Sequence, residues 1–277
     1  MSRRFKAATK RQLREMLNAD LSGLSIVAVM IDGIHIEEHV VLIALGIDED
    51  ARKHVLGLWE GATENSGVCT TLLTELVRRG LDSQRSTLFV IDGSKALRKA
   101  IRDVFGERAV VQRCQVHKCR NVLDHLPEER HVAVGKAIRD AYRSASASAA
   151  KKRLQALASQ LQESHPGAAA SIREGLDETL TVKGWGLQKA LERTLSTTNP
   201  IENINGGVRR LTRRVKRWRG GEMILRWTAA ALIEHARGFR RLAGCKGMPK
   251  LVDALRRNDA RIDEAKYDIL APQQKVA

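Results

Sequence analysis

Asp32 and Asp92 stand in the same local setting. Each follows an apolar, β-rich run, at 26–31 and 88–91, and each precedes a glycine. In open α/β sheets, sites form at the carboxyl ends of strands, so the two carboxylates would converge if their strands are neighbours. Carboxylates held that close repel unless a cation sits between them. Mg2+ suits such a place, because it takes oxygen ligands and keeps waters. Asp-Gly is also a common turn dipeptide, which is the plainer account of either residue alone.

A third carboxylate, Glu202, lies in the stretch TNPIEN. Pro200 suits a first helical position and Asn199 can cap. Asn199 and Glu202 also have capping-box spacing, the plain reading of Glu202. Ile201, Ile204, Val208, Leu211, Val215 and Trp218 then step by threes and fours, which predicts one sustained amphipathic helix. Arg209 falls two turns after Glu202, nearly on the same face. Between Arg209 and Arg219, seven of eleven residues are basic: Arg209, Arg210, Arg213, Arg214, Lys216, Arg217 and Arg219. No acid balances them, which favours phosphate contact over an ordinary solvated face. Gly206 and Gly207 weaken the helix and leave room for another backbone. Cys114, His117 and Cys119 cluster in CQVHKC. Zinc normally needs four ligands and no second pair matches, so zinc, like a nucleophilic Cys–His pair, has little support. Trp185, between two glycines, reads as core, with base stacking the lesser alternative.

Elements must position these groups. Residues 24–47 read as a hairpin and 55–59 as a third strand. Helical spacing covers 67–79, a buried strand 86–91, an amphipathic helix 95–105 stopped by Gly106, and another strand 109–112. That order predicts an α/β layer that starts antiparallel and continues parallel. Residues 128–195 are Ala-, Arg-, Gln- and Glu-rich with no convincing strand and read as helical, with 144–150 as a connector. From Thr198 two helices are expected, broken near Gly220 and Gly221. The rest reads as a weakly periodic, partly ordered tail.

The 277 residues hold 48 Lys and Arg against 32 Asp and Glu, a net charge of +16, which calls for an anionic partner. Residues 1–14 carry six bases and no acid, residues 15–197 balance at 24 each, and residues 198–243 carry 11 bases against three acids. The charge therefore sits in two short segments beside a neutral body, as expected of a folded core with a nucleic-acid-facing surface. With 43% hydrophobic and 29% charged residues the composition is globular rather than disordered. Four cysteines are no disulfide framework. Neither a leader nor a run of ~18 apolar residues is present, so a cytoplasmic place without membrane contact is expected.

Taken together, IDGIHI, VIDGSKAL, RCQVHKCRN and TTNPIENINGGVR, in this order, resemble the mutator-type transposases of bacterial insertion sequences. The resemblance implies a ribonuclease-H-like mixed sheet flanked by helices and interrupted by an all-helical insertion. It makes Asp32, Asp92 and Glu202 the DDE catalytic and metal-binding triad. It places the family's Cys-x-x-His signature on Cys114 and His117, and its basic residue after the Glu on Arg209. The organisation implied is a basic N-terminal segment 1–24, catalytic parts 25–126 and 198–243, a helical insertion 127–197 and a tail 244–277. The expected reaction is strand cleavage and strand transfer by two Mg2+ or Mn2+ ions about 4 Å apart. Partners would be the element ends and target DNA, bound by a homo-oligomer at the nucleoid. Family members resemble longer chains with a DNA-binding region before the first strand, and only about 24 residues precede it here. A nuclease or resolvase without joining activity, a non-catalytic DNA-binding or dimerising remnant, and a zinc-dependent binding module are the alternatives.

Overall fold

Three apolar strands in succession build one half of a five-stranded sheet. They are β1 (Ile26–Ile36), β2 (His39–Asp48) and β3 (Lys53–Gly61), paired antiparallel as a meander. Glu37 adopts φ 52° in the tight β1–β2 turn. The other half is parallel: β4 (Thr87–Ile91) joins β1, and β5 (Ala109–Arg113) joins β4. The strand order is β3-β2-β1-β4-β5. β4 is buried at every residue, as a parallel strand between two neighbours must be. The computed structural model describes residues 3–61 and 65–270, with side chains as far as 267. Residues 271–277 of the expected tail lie outside that range.

Alternation along the strands gives the sheet two apolar faces. Val29, Ile31, Phe89 and Ile91 meet α2 (Ser66–Arg78) and α3 (Lys95–Phe105), which bury Leu72, Leu73, Leu76, Leu97, Ile101 and Phe105. Ala28, Met30, Leu88 and Val90 share the opposite core with α1 (Arg3–Asn18) and with C-terminal helices. Between the halves of the chain run α4 (Gln115–Leu123), α5 (Glu128–Tyr142), α6 (Ala147–Leu161), α7 (Pro166–Arg173), α8 (Thr181–Gly184) and α9 (Lys189–Leu195). Cys119, Val122, Ile138, Leu154, Leu161, Ile172 and Leu180 form a third core there, while Leu191 and Leu195 of α9 join the sheet core. The chain closes with α10 (Asn199–Thr212), α11 (Gly221–Ala236) and α12 (Met248–Leu270).

Several expectations change. The helix predicted to run through Trp218 ends at Thr212, and 213–220 is irregular. Arg209, Arg213 and Arg217 would stack at i, i+4 spacing in a continued helix, as would Arg210 and Arg214, and like charges so placed destabilise it. Trp218 still packs on the sheet core from outside the helix. The weakly periodic tail contains α12, anchored by Leu251, Leu255 and Ile262. Its apolar stripe is interrupted at Asp259, which instead accepts hydrogen bonds from the Ser86 amide (2.8 Å) and hydroxyl (2.6 Å) and pairs with Arg108. The connector at 144–150 is shorter than expected, because Ser146 caps α6 and Ala147 begins it. α1 buries Leu13 and Met16 and lies against α11, where Arg226 donates to Thr9 Oγ1 at 3.2 Å and Lys10 meets Glu222 at 2.8 Å. Among the described residues, no helix is long and apolar enough to cross a membrane.

Candidate active site

The β1–β4 pairing matches Ala28 with Leu88, Val29 with Phe89 and Met30 with Val90. Continued by two residues, this register sets Asp32 level with Asp92. Both then follow the alternation of Ala28/Met30 and Leu88/Val90 onto the face that α10 covers. Asp92 stands one residue past the end of β4, as expected. Asp32 does not end its strand. β1 runs on to Ile36 because β2 continues to pair with it, Asp32 lying opposite Ile43. The residue therefore sits where β1 outruns β4. Burial is the largest influence on its carboxyl and pushes its pKa up; the Gly33 amide opposes this, while negative charge on Asp92 and Glu202 raises it further. The Asp92 carboxylate accepts from the Ser94 amide at 2.9 Å, and Ser94 in turn caps α3.

Glu202 lies in the first turn of α10, but not in a capping box. Thr198, not Asn199, is the N-cap residue. Its hydroxyl stands 2.6 Å from Glu202 Oε1 and also 3.3 Å from both His117 Nδ1 and Cys114 Sγ. A hydroxyl has one proton to give, and the short contact to a carboxylate takes it. The oxygen then faces His117 and Cys114, while the Thr198 amide donates to Cys114 Sγ at 3.4 Å. His117 Nδ1 is 3.8 Å from Glu202 Oε1. The hydrogen bond with Cys114 is the main influence raising the imidazole pKa; burial opposes it, and the charges of Cys114, Glu202 and Asp92 add to it.

Asn205, one turn beyond Glu202, is 1% exposed and donates to Asp32 Oδ2 at 2.7 Å. Its own Oδ1 is buried and has no hydrogen-bond partner among the described residues. Sequence reasoning missed Thr198 and Asn205. The available signal was spacing: Asn205 follows Glu202 by three residues and continues its helix face. Of the cysteine cluster, Cys114 and His117 join the site, whereas Cys119 turns into the third core. Ligand atoms of Cys114, His117 and Glu202 lie within 4.8 Å of one another, and the Thr198 hydroxyl links all three. Trp185 is half-buried against the sheet core. Gly207 admits the His235 ring rather than a backbone, and Gly206 faces open space.

The profile of the Mutator transposase family matches residues 5–241. The chain belongs to this family. The transposase for insertion sequence element IS6120 of Mycolicibacterium smegmatis is 31% identical over 219 residues, covering 77% of this chain and 66% of that protein. The transposase for element ISRM5 of Rhizobium meliloti is 32% identical over 194 residues, covering 70% and 48%. That for element IS256 in transposon Tn4001 of Staphylococcus aureus is 29% identical over 224 residues, covering 76% and 56%. The chain thus spans between about half and two thirds of the length of these curated relatives.

In this Mutator-family chain, Asp32, Asp92 and Glu202 offer only oxygen donors, and burial, with repulsion from Asp92 and Glu202 added to it, raises the Asp32 pKa. That donor set fits a hard divalent cation such as Mg2+ or Mn2+, whose charge would relieve the repulsion. The basic run stands apart from the carboxylates. Arg209 and Arg210 are exposed at the end of α10, and Arg213, Arg214, Lys216, Arg217 and Arg219 are exposed in the irregular segment after it. Among the described residues none of the seven forms an ion pair.

Proposed function

We propose that this chain is an insertion-sequence transposase of the DDE type, cleaving DNA strands and joining them to a target. One observation supports the reading most: the β1–β4 register sets Asp32 level with Asp92 on the face from which α10 presents Glu202. On this reading the mixed sheet is ribonuclease-H-like, and the helices of 127–197 are an insertion between Asp92 and Glu202. The names of the relatives point the same way, each being a transposase for an insertion sequence element. The enzyme would act on element ends and target DNA, at the nucleoid, as a homo-oligomer.

The three carboxylates would hold two divalent cations, which activate the attacking oxygen and stabilise the leaving one. The attacking oxygen is that of water for cleavage and of a 3′-hydroxyl for joining. Phosphoryl transfer asks little covalent chemistry of the protein, so positioning carries the work. Asn205 and the Gly33 amide hold the two oxygens of Asp32, at 2.7 and 2.9 Å. Thr198 holds one oxygen of Glu202. The exposed bases of 209–219 hold backbone phosphates beyond the reacting one.

Asp32→Asn, Asp92→Asn and Glu202→Gln are each expected to abolish nicking and joining on duplexes carrying the element ends, while DNA binding survives. Full activity in any one variant overturns that residue's role. Offering a pre-cut 3′ end separates the reactions: protein that nicks but cannot join such an end is a nuclease or resolvase.

A further inference from the structure

The neutral stretch of sequence conceals a second basic surface. On α3, Lys95, Arg98, Lys99 and Arg102 recur at i, i+3, i+4 and i+7, opposite the buried Leu97, Ala100, Ile101 and Phe105, and all four are exposed. With Arg113 they line a cavity of about 490 Å3, completed by Glu174, Gly175 and Glu178. Five cations thus face two carboxylates. Arg113 forms the deepest part, 4% exposed, its Nη2 donating to the Gly93 carbonyl at 2.7 Å. Its Nε is buried, 3.8 Å from Glu178 Oε2, and makes no hydrogen bond among the described residues.

The carboxylates do not use up this charge. Glu178 is shared between Arg98 at 2.6 Å and Arg113 at 3.8 Å, and Glu174 between Arg113 and Lys118. Lys99 and Arg102 pair with Asp103 and Glu107 at the surface, where such pairs are weak and readily exchanged for another anion. Among the described residues Lys95 has no ion pair.

We propose that this cavity binds phosphodiesters of the DNA that passes Asp92, an inference that rests on reading the chain as a DNA-processing enzyme. Lys95 follows Asp92 by three residues, and Arg113 grips the carbonyl of Gly93 between them. From Lys95 to Arg102 the helix advances about 10 Å, roughly the rise of three nucleotides in one strand. α3 packs on one face of the sheet and α10 on the other, so the cavity is separate from the bases of 209–219. DNA crossing the carboxyl end of β4 would therefore be held on both sides of the carboxylates.

The test is the salt dependence of binding to fluorescein-labelled duplex DNA of random sequence, measured by anisotropy with the full chain. Lys95→Ala plus Lys99→Ala changes two exposed helix positions to the best helix former, so the fold is retained. The double variant is expected to weaken binding and lower the slope of log K against log salt by about one to two, near 0.9 per lost phosphate contact. Lys95→Arg plus Lys99→Arg is expected to restore it. An unchanged slope in the alanine variant, where Arg213→Ala plus Arg217→Ala lowers it, overturns the cavity site and leaves the proposed function standing. Wild-type protein that binds no duplex overturns both. Because the assay needs no catalysis, an active Asp32→Asn variant would refute the catalytic reading without touching this result.

Discussion

Glu174→Gln is expected to destabilise the protein at neutral pH and to matter progressively less in acid. Glu174 Oε2 lies 2.6 Å from Arg113 Nη1 and 2.8 Å from Lys118 Nζ. The two cationic side chains are 5% and 7% exposed, and the carboxylate's is 49% exposed. Burial alone would push the Glu174 pKa up, but hydrogen bonds and charge from Arg113 and Lys118 outweigh it and hold the group at about 2 against an ordinary 4.5. Lys118 responds differently: burial lowers its pKa even with Glu174 beside it. The half-exposed carboxylate, facing two cations, is the better reporter of the network. Moving a carboxyl from 4.5 to about 2 sets a ceiling of roughly 3 kcal/mol. Solvent screening at its exposure reduces this to about 1–2 kcal/mol. A depressed acid pKa gives stability that is fully present above 4.5 and lost as pH falls towards 2. Urea unfolding of the wild type and Glu174→Gln should therefore differ by about 1–2 kcal/mol at pH 7, or roughly 3–6 °C in Tm. The gap should narrow between pH 5 and pH 3. A gap absent at pH 7, or constant across that range, would refute the reasoning. Because Arg113 ends β5 and Lys118 lies on α4, the network fastens the helices after β5 to the backbone beside Asp92.

Thr198→Val removes a charge-assisted hydrogen bond to Glu202, worth about 1.5–3 kcal/mol, and should cut kcat by roughly 10- to 100-fold with KM little changed. Thr198→Ser keeps the hydroxyl and should stay within a few-fold of wild type; equal loss in both would refute a positioning role. Arg213→Ala plus Arg217→Ala should lower the salt slope of DNA binding by about one per lost phosphate contact, and an unchanged slope would take this segment off the DNA. Gly244→Ala should cost about 1–3 kcal/mol in urea unfolding, since Gly244 has φ 83° and an added Cβ would stand 2.4 Å from the Leu191 amide nitrogen.

Local pattern made the sheet legible. Near-continuous apolar runs mark β1, β2 and β4, and a glycine follows each of Asp32 and Asp92. Where β1 ends was not legible, because β2 on its other side, not its own composition, carries it past Asp32. α10 ends at Thr212 although the apolar spacing continues to Trp218, where like charges at i, i+4 spacing oppose a longer helix. α12 was hidden for the opposite reason: its stripe is broken at Asp259, where hydrogen bonds to Ser86 replace apolar contact. Asn205 matters through Asp32, 173 residues away, and Thr198 joins Glu202, four residues on, to Cys114, 84 residues back, so no local window contains either constellation.

The charge follows the same logic. Counted along the chain, residues 15–197 balance, which reads as a neutral body. Folding does not spread that balance evenly. Glu174 is drawn towards Arg113 and Lys118, cations that burial would otherwise penalise heavily, while α3 turns four bases to the surface with only Asp103 for company on its own helix. Acids that settle interior cations no longer offset exterior ones. A segment of zero net charge can therefore present a positive surface, and here that surface begins three residues after Asp92.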